Sequence, residues 1–401
     1  MSLNSQESAL VARAAATQMR RQVEQWAAIN SGTGNLAGLG EVVGQLSGVL
    51  ASLPGVLRLV DPVPEQSVAP DGRVRSIQRG QHLHLCVRPQ ANRRILLTGH
   101  MDTVFPADHP FQTLREVEPG IINGPGVADM KGGIAVMLAA LAAFETSDCA
   151  SALGYDVLLN SDEETGSVTS APLIAQLAQG KIAALTYEPA ALSDGTLAGA
   201  RPGSGNFSFV VTGKAAHAGR NPDEGRNAVV AAADLALQFA GLRRDGLSTN
   251  PARIDGGGPN NVVPDHAVLR LNLRPATPSL EAMAKAAIDA IVAKVSQHHD
   301  VNIHIHGGFG RPPKPLDPAA ERLFGLVRDC GADLGQSIAW KATGGVCDGN
   351  NIAACGIPVV DTMGVRGGAI HSDQEYLIVE SLAERAALSA LTIYRLANGA
   401  I

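Results

Sequence analysis

Histidine and carboxylate residues occur in short clusters at widely separated points of the chain. They are His100 and Asp102, Asp129, the adjacent pair Glu163 and Glu164, Glu188, and His371. Zinc binds histidine nitrogens and carboxylate oxygens in sites that keep one position open for water, and a carboxylate can bridge two metal ions. These residue types suit a two-metal hydrolytic site, provided that the fold gathers them.

The pair Glu163–Glu164 indicates a division of labour. Two neighbouring carboxylates need not both face a metal, which leaves one free for proton transfer. A single His-x-Asp is more often a surface pair than a metal site, so the hypothesis depends on the clusters occurring together.

Short apolar segments precede three of these clusters. Residues 95–97, 157–159 and 182–187 read as buried strands, and residues 134–144 read as a buried helix that follows Asp129. Alternating strands and helices predict an α/β fold with a mainly parallel sheet and helices on both faces. Such sheets bind ligands at the carboxyl ends of their strands, where most of the acidic residues lie.

The pattern changes after residue 195. Apolar residues alternate at 207–211 and 269–273, and further strands at 252–254 and 301–306 accompany helices at 226–239 and 279–297. The order β-α-β-β-α-β predicts a ferredoxin-like α+β unit. We expect it to be a lid and dimerisation domain, residues 197–311, inserted into a catalytic domain of residues 1–196 and 312–401.

Composition narrows the class of function. The 401 residues are 45% hydrophobic and carry a net charge of −6 without a dense Lys/Arg stripe, which argues against nucleic-acid or membrane partners. The first thirty residues mix arginines with alanines and read as an amphipathic helix rather than a signal peptide. Five cysteines without a CxxC pair favour reduced thiols and a cytoplasmic location.

Taken together and in order, the motifs resemble a known family. The matching stretches are residues 99–104, 124–133, 161–167, 188–189, 216–219, 261–264 and 371–372. The chain resembles, over nearly its whole length, the two-zinc family of acetylornithine deacetylase, succinyl-diaminopimelate desuccinylase and glutamate carboxypeptidase. It looks closest to the glutamate carboxypeptidase branch.

The resemblance implies a ligand set. One zinc would be held by His100, Asp129 and Glu188, and the other by Asp129, Glu164 and His371, so that Asp129 is the bridge. Cobalt or manganese could replace zinc.

The resemblance also implies roles for residues that are not ligands. Glu163 would take a proton from the metal-bridging water and deliver it to the leaving amine, and Asp102 would orient His100 through its far ring nitrogen. His217, assisted by Asn261, would stabilise the oxyanion, commonly across a dimer interface. Arg274 would bind the free carboxylate of the substrate.

His217 and Arg274 also have simpler interpretations. His217 could merely hydrogen-bond a loop, and Arg274 could be a solvated charge at a strand end. Cys347 reads as a buried small thiol rather than a catalytic one.

The predicted function is hydrolysis of an amide or peptide bond next to a free carboxylate, in a small N-acylated amino acid or peptide. We expect a homodimer formed through the lid. The alternatives are a catalytically silent metal- or ligand-binding homologue and a two-zinc aminopeptidase. An intact Glu163 argues against the first, and the Arg274 carboxylate contact argues against the second.

Overall fold

The protein is described here by a computed structural model of residues 3–401. Its α-helices are α1 Ser5–Ala15, α2 Met19–Ala27, α3 Leu36–Leu50, α4 Gly133–Phe144, α5 Ala171–Ala178, α6 Ala228–Ala240, α7 Pro278–His299, α8 Pro318–Asp333, α9 Asp348–Ala354 and α10 Glu380–Ala397.

The strands fall into one large mixed sheet, one four-stranded antiparallel sheet and several small ribbons. They are β1 Val56–Val60, β2 Glu65–Val68, β3 Val74–Ile77, β4 His82–Val87, β5 Arg93–His100, β6 Arg115–Glu118, β7 Ile121–Asn123, β8 Leu153–Asn160, β9 Ala183–Thr186, β10 Leu197–Ala198, β11 Ser204–Thr212, β12 Ala216–His217, β13 Leu247–Gly256, β14 Val262–Val263, β15 His266–Pro275, β16 Asn302–Arg311, β17 Trp340–Lys341, β18 Val359–Val360, β19 Gly367–Gly368 and β20 Tyr376–Ile378.

The large sheet has the order β1-β4-β8-β5-β9-β18. The strands β8, β5, β9 and β18 run parallel, while β1 and β4 add an antiparallel edge. Helices α1, α2, α4 and α10 build the core on one face, and α5 and α9 cover the other. The predicted α/β class, with helices on both faces of a mainly parallel sheet, is confirmed.

The parallel strands end at one edge of this sheet, where the clusters of histidine and carboxylate residues begin. His100 is the last residue of β5, since the strand continues past the predicted loop start and pairs His100 with Asn160 of β8. Glu163 and Glu188 follow β8 and β9 within three residues. The sheet therefore places the strand-end residues at a common edge, as parallel topology requires.

The second sheet has the order β13-β15-β11-β16, and all of its pairings are antiparallel. Alternate apolar side chains of β11 and β15 pack against α6 and α7, and form a separate core. Along the chain the main elements run β11-α6-β13-β15-α7-β16, which confirms the predicted ferredoxin-like unit. The bounds at residues 197 and 311 remain a prediction; the sheet itself spans Ser204 to Arg311.

Two segments of the chain connect the lid to the large domain, and they are hydrogen-bonded to each other and to the large domain. The backbones of Arg201 and Lys314 exchange hydrogen bonds of 2.9 and 3.0 Å, and both side chains contact the carboxylate of Asp361. Asn350 donates to the carbonyls of Pro202 and Pro312, each at 2.8 Å. We call this paired segment the hinge.

The N-terminal segment contains two helices instead of the single amphipathic helix that the sequence suggested. The chain turns between Ala15 and Met19. Helix α1, before the turn, packs on α4 and α10, and α2, after it, contacts the turn that carries Asp129. Burial of Leu10, Val23 and Trp26 stabilises this bent arrangement.

One helical stretch, Val127–Phe144, is long and apolar enough by composition to cross a membrane. It is nevertheless 94% buried inside the protein, between the sheet and the terminal helices. The stretch therefore serves as the core helix of the large domain.

Gly133 allows α4 to approach the end of β9. A Cβ atom there would lie 1.9 Å from the carbonyl oxygen of Tyr187, next to Glu188. We expect Gly133→Ala to lower the free energy of unfolding by about 1–3 kcal/mol, as overpacking does. Urea unfolding measures this.

The matched control is Gly48→Ala in α3, where a Cβ atom meets nothing within 4 Å. Alanine in an exposed helix should be neutral or stabilise by up to about 1 kcal/mol. Equal effects of the two substitutions would contradict the close-packing argument.

Candidate active site

His100 is fixed at the end of β5 by its surroundings. Its Nδ1 lies 2.9 Å from the backbone carbonyl of Asp102 and 3.4 Å from the Asp102 carboxylate. A ring whose Nδ1 donates to these oxygens presents an unprotonated Nε2. The orienting contact predicted for Asp102 thus comes more closely from its carbonyl than from its side chain.

Asp129 lies between the two histidines. Its Oδ1 is 3.0 Å from His100 Nε2, and its Oδ2 is 3.3 Å from His371 Nε2. Glu188 approaches His100 at 3.7 Å, and Glu164 approaches His371 at 3.1 Å. The five predicted ligands thus form one cluster in which Asp129 offers one oxygen to each half.

The electrostatics of this cluster suit a divalent cation. Burial, with the nearby Asp129 charge, raises the pKa of Glu164 and Glu188 to about 8 each. Hydrogen bonds to Asp129 and Glu164 raise the pKa of His371 to about 11. Buried carboxylates that repel each other in this way are compensated by a metal ion, and the histidine and carboxylate donors are those that zinc-type ions accept.

Two carboxylates outside the ligand set hold the ligand-bearing loops. Glu375 accepts hydrogen bonds of 2.9–3.0 Å from the amides of Gly126, Ala128 and Asp129. The carboxylate of Asp102 accepts from the amides of Glu163 and Glu164, each at 3.2 Å. Asp102 therefore supports the acid-rich loop as well as His100, and Glu375 supports the bridging aspartate.

Glu163 has a partner that the sequence did not reveal. Nη2 of Arg311, the last residue of β16, lies 2.6 Å from its carboxylate and 2.9 Å from its carbonyl oxygen. Burial raises the pKa of Glu163 to about 7, although the positive charges of Arg311 and His100 oppose the shift. The hinge end of the lid therefore contacts the predicted base directly.

The cluster opens into a cleft of about 460 Å³, which has the size of a small-molecule site. Asp129, Glu163, Glu188 and His371 line its floor, and Arg201 and Cys347 line its wall. Cys347 is buried, and burial raises the pKa of its thiol, so the expectation of an inert small thiol agrees with its environment.

The structure does not bring His217 or Asn261 into this cleft. His217 lies exposed on β12, where its ring nitrogen accepts from the amides of Gly219 and Arg220. Asn261 is also exposed, and its carbonyl accepts from Ala218. The two residues are neighbours on the lid, but within residues 3–401 they do not line the cleft of their own chain.

Arg274 lies beside the cleft rather than in it. Its Nη1 donates to the carbonyl of Gly344 at 3.0 Å, and it lines an adjoining pocket that shares Arg201 and Thr343 with the cleft. A substrate carboxylate at Arg274 would therefore reach past the wall formed by residues 342–347.

Arg311, Glu375 and the cleft-lining Arg201 are among the site residues that sequence reasoning missed. Arg311 follows a glycine-rich strand end, and Glu375 lies four residues after His371 in an irregular segment. Neither position shows a periodicity or motif that separates it from a surface charge.

A second group of metal-ligand residues, His84, Cys86 and Asp156, lies away from the cleft. Asp156 is already paired with Arg94 at 2.6 Å and with Lys181 at 3.0 Å. Two cations on one carboxylate oppose metal binding, so this group is an ion-pair network.

Comparison with known proteins identifies the family. The model for peptidase family M20/M25/M40 matches residues 96–395, which include every predicted metal ligand. The chain belongs to this family. It is a metal-dependent hydrolase of amide or peptide bonds, with the M20 fold.

Similar sequences include proteins named for two different hydrolytic activities. The chain is 30% identical over 321 residues to carboxypeptidase G2 of Pseudomonas sp. (strain RS-16), which covers 78% of this chain and 76% of the relative. It is 28% identical over 314 residues to succinyl-diaminopimelate desuccinylase of Psychrobacter arcticus, which covers 74% and 76%.

Among solved structures, a tripeptidase from Staphylococcus aureus superposes with a TM-score of 0.72 at 22% identity. The match covers 95% of this chain and 98% of that one. It supports the fold of both units together.

Glu375→Gln tests how the bridging aspartate is held. The amide group of glutamine would replace one acceptor oxygen by a donor that faces a backbone N–H. We expect metal affinity to fall about 10- to 100-fold, the usual range for lost supporting hydrogen bonds around a metal site. Competition with a chelator measures it.

The matched control is Glu321→Gln on the exposed side of α8. It should leave metal affinity unchanged. An equal affinity in both variants would show that the three amides hold Asp129 without the carboxylate.

Proposed function

We propose that the protein is a two-zinc carboxypeptidase or N-acyl-amino-acid deacylase that cleaves an amide bond next to a free carboxylate. The observation that carries the proposal is the position of Asp129, with one oxygen toward His100 and the other toward His371. His100, Asp129 and Glu188 would hold one ion, and Asp129, Glu164 and His371 the other. Cobalt or manganese would fit the same donors.

Bound zinc supplies a Lewis acid that polarises the scissile carbonyl and makes water acidic enough to attack near neutral pH. Glu163 accepts the proton of the attacking water at its carboxylate and then donates it to the leaving amine nitrogen. The carboxylate of Asp102 holds Glu163 and Glu164 in position by accepting hydrogen bonds from their backbone amides. Arg311 holds the Glu163 carboxylate in the cleft through an ion pair of 2.6 Å.

The charge of the cleft favours an acidic substrate over an amine. Within the described residues, its lining carboxylates are the two proposed ligands Asp129 and Glu188 and the proposed base Glu163, and none remains to bind an N-terminal ammonium group. Arg274, in the adjoining pocket, instead offers a guanidinium group without a carboxylate partner among the described residues, and such a group binds carboxylates in a planar, bidentate manner. This argues for a carboxypeptidase or deacylase over an aminopeptidase.

The identities of the relatives agree with this choice. One is named a carboxypeptidase and the other a desuccinylase, and both names imply an amide substrate that carries carboxylates. We propose the same substrate class here: a small N-acylated amino acid or peptide.

The remote position of His217 and Asn261 supports a homodimer. Their exposed loop on the lid would reach the cleft of a second copy, where His217 stabilises the oxyanion and Asn261 assists it. The lid would thus contribute to the partner's site rather than to its own.

We further propose a cytoplasmic enzyme without nucleic-acid or membrane partners. The net charge of −6 and the free state of all five cysteines support it.

The adjacent glutamates provide a matched pair of variants. Glu163→Gln should retain metal but lower kcat by about two to four orders of magnitude, because the proton acceptor is lost. Glu164→Ala should lose metal as well. Metal content per chain and hydrolysis of N-acetyl, N-succinyl and N-benzoyl amino acids and of glutamate-ending dipeptides measure both effects.

Equal metal loss in the two variants would refute the division of labour. Wild-type protein that binds metal at the two-site level but hydrolyses none of these amides would overturn the proposed substrate class.

Mixing two inactive variants tests the dimer. A heterodimer of Glu163→Gln and His217→Ala has one site with both an intact glutamate and the partner's intact histidine. Random mixing makes about half of the dimers mixed, so activity should recover to about a quarter of the wild-type value.

Each variant alone should remain nearly inactive. If the mixture is no more active than its components, His217 acts within its own chain or not at all.

A further inference from the structure

The loop that joins α2 to α3 runs beside the segment that carries Asp102. The amide of Thr103 donates to the carbonyl of Ser31 at 3.0 Å, and the amide of Thr33 donates to the carbonyl of Thr103 at 3.2 Å. The two segments are parallel at this point. We call residues 29–35 the α2–α3 loop. Its backbone is thus bound to the residue that follows Asp102.

The side chain of Thr33 reaches the carboxylate of Asp102. Its Oγ1 donates to Oδ2 of Asp102 at 2.7 Å, and both side chains are buried. This hydrogen bond is shorter than the two that the same carboxylate accepts from the amides of Glu163 and Glu164, which are 3.2 Å each. A hydroxyl that donates to a carboxylate makes a charge-assisted hydrogen bond, which is stronger than one between neutral groups.

The two oxygens of Asp102 have different partners. Oδ1 lies 3.2 Å from the amide of Glu163 and 3.4 Å from Nδ1 of His100. Oδ2 accepts from Thr33 and from the amide of Glu164. The last torsion of an aspartate side chain has a broad energy minimum, so hydrogen-bond donors decide the plane of its carboxylate. Thr33 is the donor that approaches this carboxylate most closely.

The α2–α3 loop is itself held in place. Nδ2 of Asn30 donates to the carbonyl of Phe105 at 3.0 Å, and Oδ1 of Asn30 accepts from the amide of Gly32 at 3.2 Å and from Nδ2 of Asn35 at 2.9 Å. Nζ of the buried Lys131 donates to the carbonyl of Ile29 at 3.2 Å. The loop therefore presents the Thr33 hydroxyl to Asp102 from a fixed position.

We propose that Thr33 is a positioning residue of the metal centre. Its hydroxyl fixes the carboxylate of Asp102, which in turn holds His100 and the backbone of Glu163 and Glu164. The inference rests on the proposed function, in which these three residues serve the metal ions and the attacking water. Thr33 lies outside residues 96–395, which the family model matches, so the role follows from the contacts of this chain.

Metal affinity is the first test. Thr33→Val keeps the shape of the side chain but removes the donor, and it should weaken metal binding about tenfold, as the loss of a supporting hydrogen bond around a metal site does. Thr33→Ser keeps the donor and should recover most of the affinity. Competition with a chelator measures the affinity of each variant.

The matched control is Thr392→Val in α10. The Thr392 side chain is also buried, and its hydroxyl donates to the carbonyl of Leu388 at 2.8 Å. The substitution removes a buried hydroxyl of the large domain without a contact to Asp102, and it should leave metal affinity unchanged. If Thr33→Val does not fold, Thr33→Ala takes its place in the comparison with Thr33→Ser.

The kinetic constants separate positioning from substrate binding. With metal at saturating concentration, Thr33→Val should lower kcat about tenfold and leave KM nearly unchanged, because Thr33 does not line the cleft among the described residues. The assay uses the amide that the wild-type enzyme hydrolyses fastest in the panel above. A purely structural role would lower the free energy of unfolding in urea without this change in kcat.

Hydrogen exchange provides a readout that needs neither metal nor substrate. In metal-free protein, the amides of residues 161–167 should exchange about tenfold faster in Thr33→Val than in the wild type, since the carboxylate that holds two of them is less well fixed. Thr392→Val should show no change there. Mass spectrometry of peptides from this segment measures the rates.

The possible failures are distinguishable. If wild-type protein binds two metal ions per chain and Thr33→Val keeps the same affinity and kcat, the positioning role is wrong and the proposed function stands. A serine variant as impaired as the valine variant also overturns the role of the hydroxyl. Wild-type protein that binds no metal overturns the proposed function. Faster exchange in Thr33→Val would then still support the contact with Asp102, and unchanged exchange would refute it.

Discussion

Mutual repulsion among buried carboxylates at one edge of the large sheet constrains the rest of the structure. Two unit charges 4 Å apart interact by about 4 kcal/mol at an effective dielectric constant of about 20, so a group of like charges is not stable without compensation. His100 and His371 offset part of this charge on either side of Asp129. The negative charge that remains suits this cluster to a divalent metal ion.

Holding such a cluster together requires a rigid frame behind it. Three backbone amides are fixed by Glu375, and two more by Asp102, so the loops that carry the ligands are bound by charge-assisted hydrogen bonds. The close contact of Gly133 with Tyr187 packs the start of α4 against the residue that precedes Glu188. The protein's own hydrogen bonds thus hold the predicted ligands in place, which is the arrangement that metal sites need.

The hinge links the lid to this frame. Asp361 binds both crossings through Arg201 and Lys314, and Arg311 reaches from the last lid strand to Glu163. A change in lid orientation would therefore move a positive charge beside the predicted base. The same hinge carries Arg201 into the wall of the cleft, so the segments that join the lid to the large domain also line the cleft.

The sequence by itself determined the class of fold and the βαββαβ order of the lid, and the order of its motifs predicted a ligand set that the fold brings into one cluster. Apolar runs such as 95–97 and alternations such as 207–211 are local signals whose period reveals the element. The predicted ligands lie at or near the ends of these elements. Because the carboxyl ends of parallel strands meet at one edge of the sheet, the topology brings these residues close together. The order of the motifs also linked His100 with His371. Spacing alone could not do this, because the two residues are distant in the chain.

Only the tertiary structure decided which charges meet. Arg311, Glu375 and Asp361 look like ordinary charged residues in the sequence, and their partners lie between 47 and 249 positions away or on another unit. The structure also placed Arg274 beside the cleft and His217 on an exposed loop. Contacts of this kind depend on how separate elements pack, and no local periodicity records them.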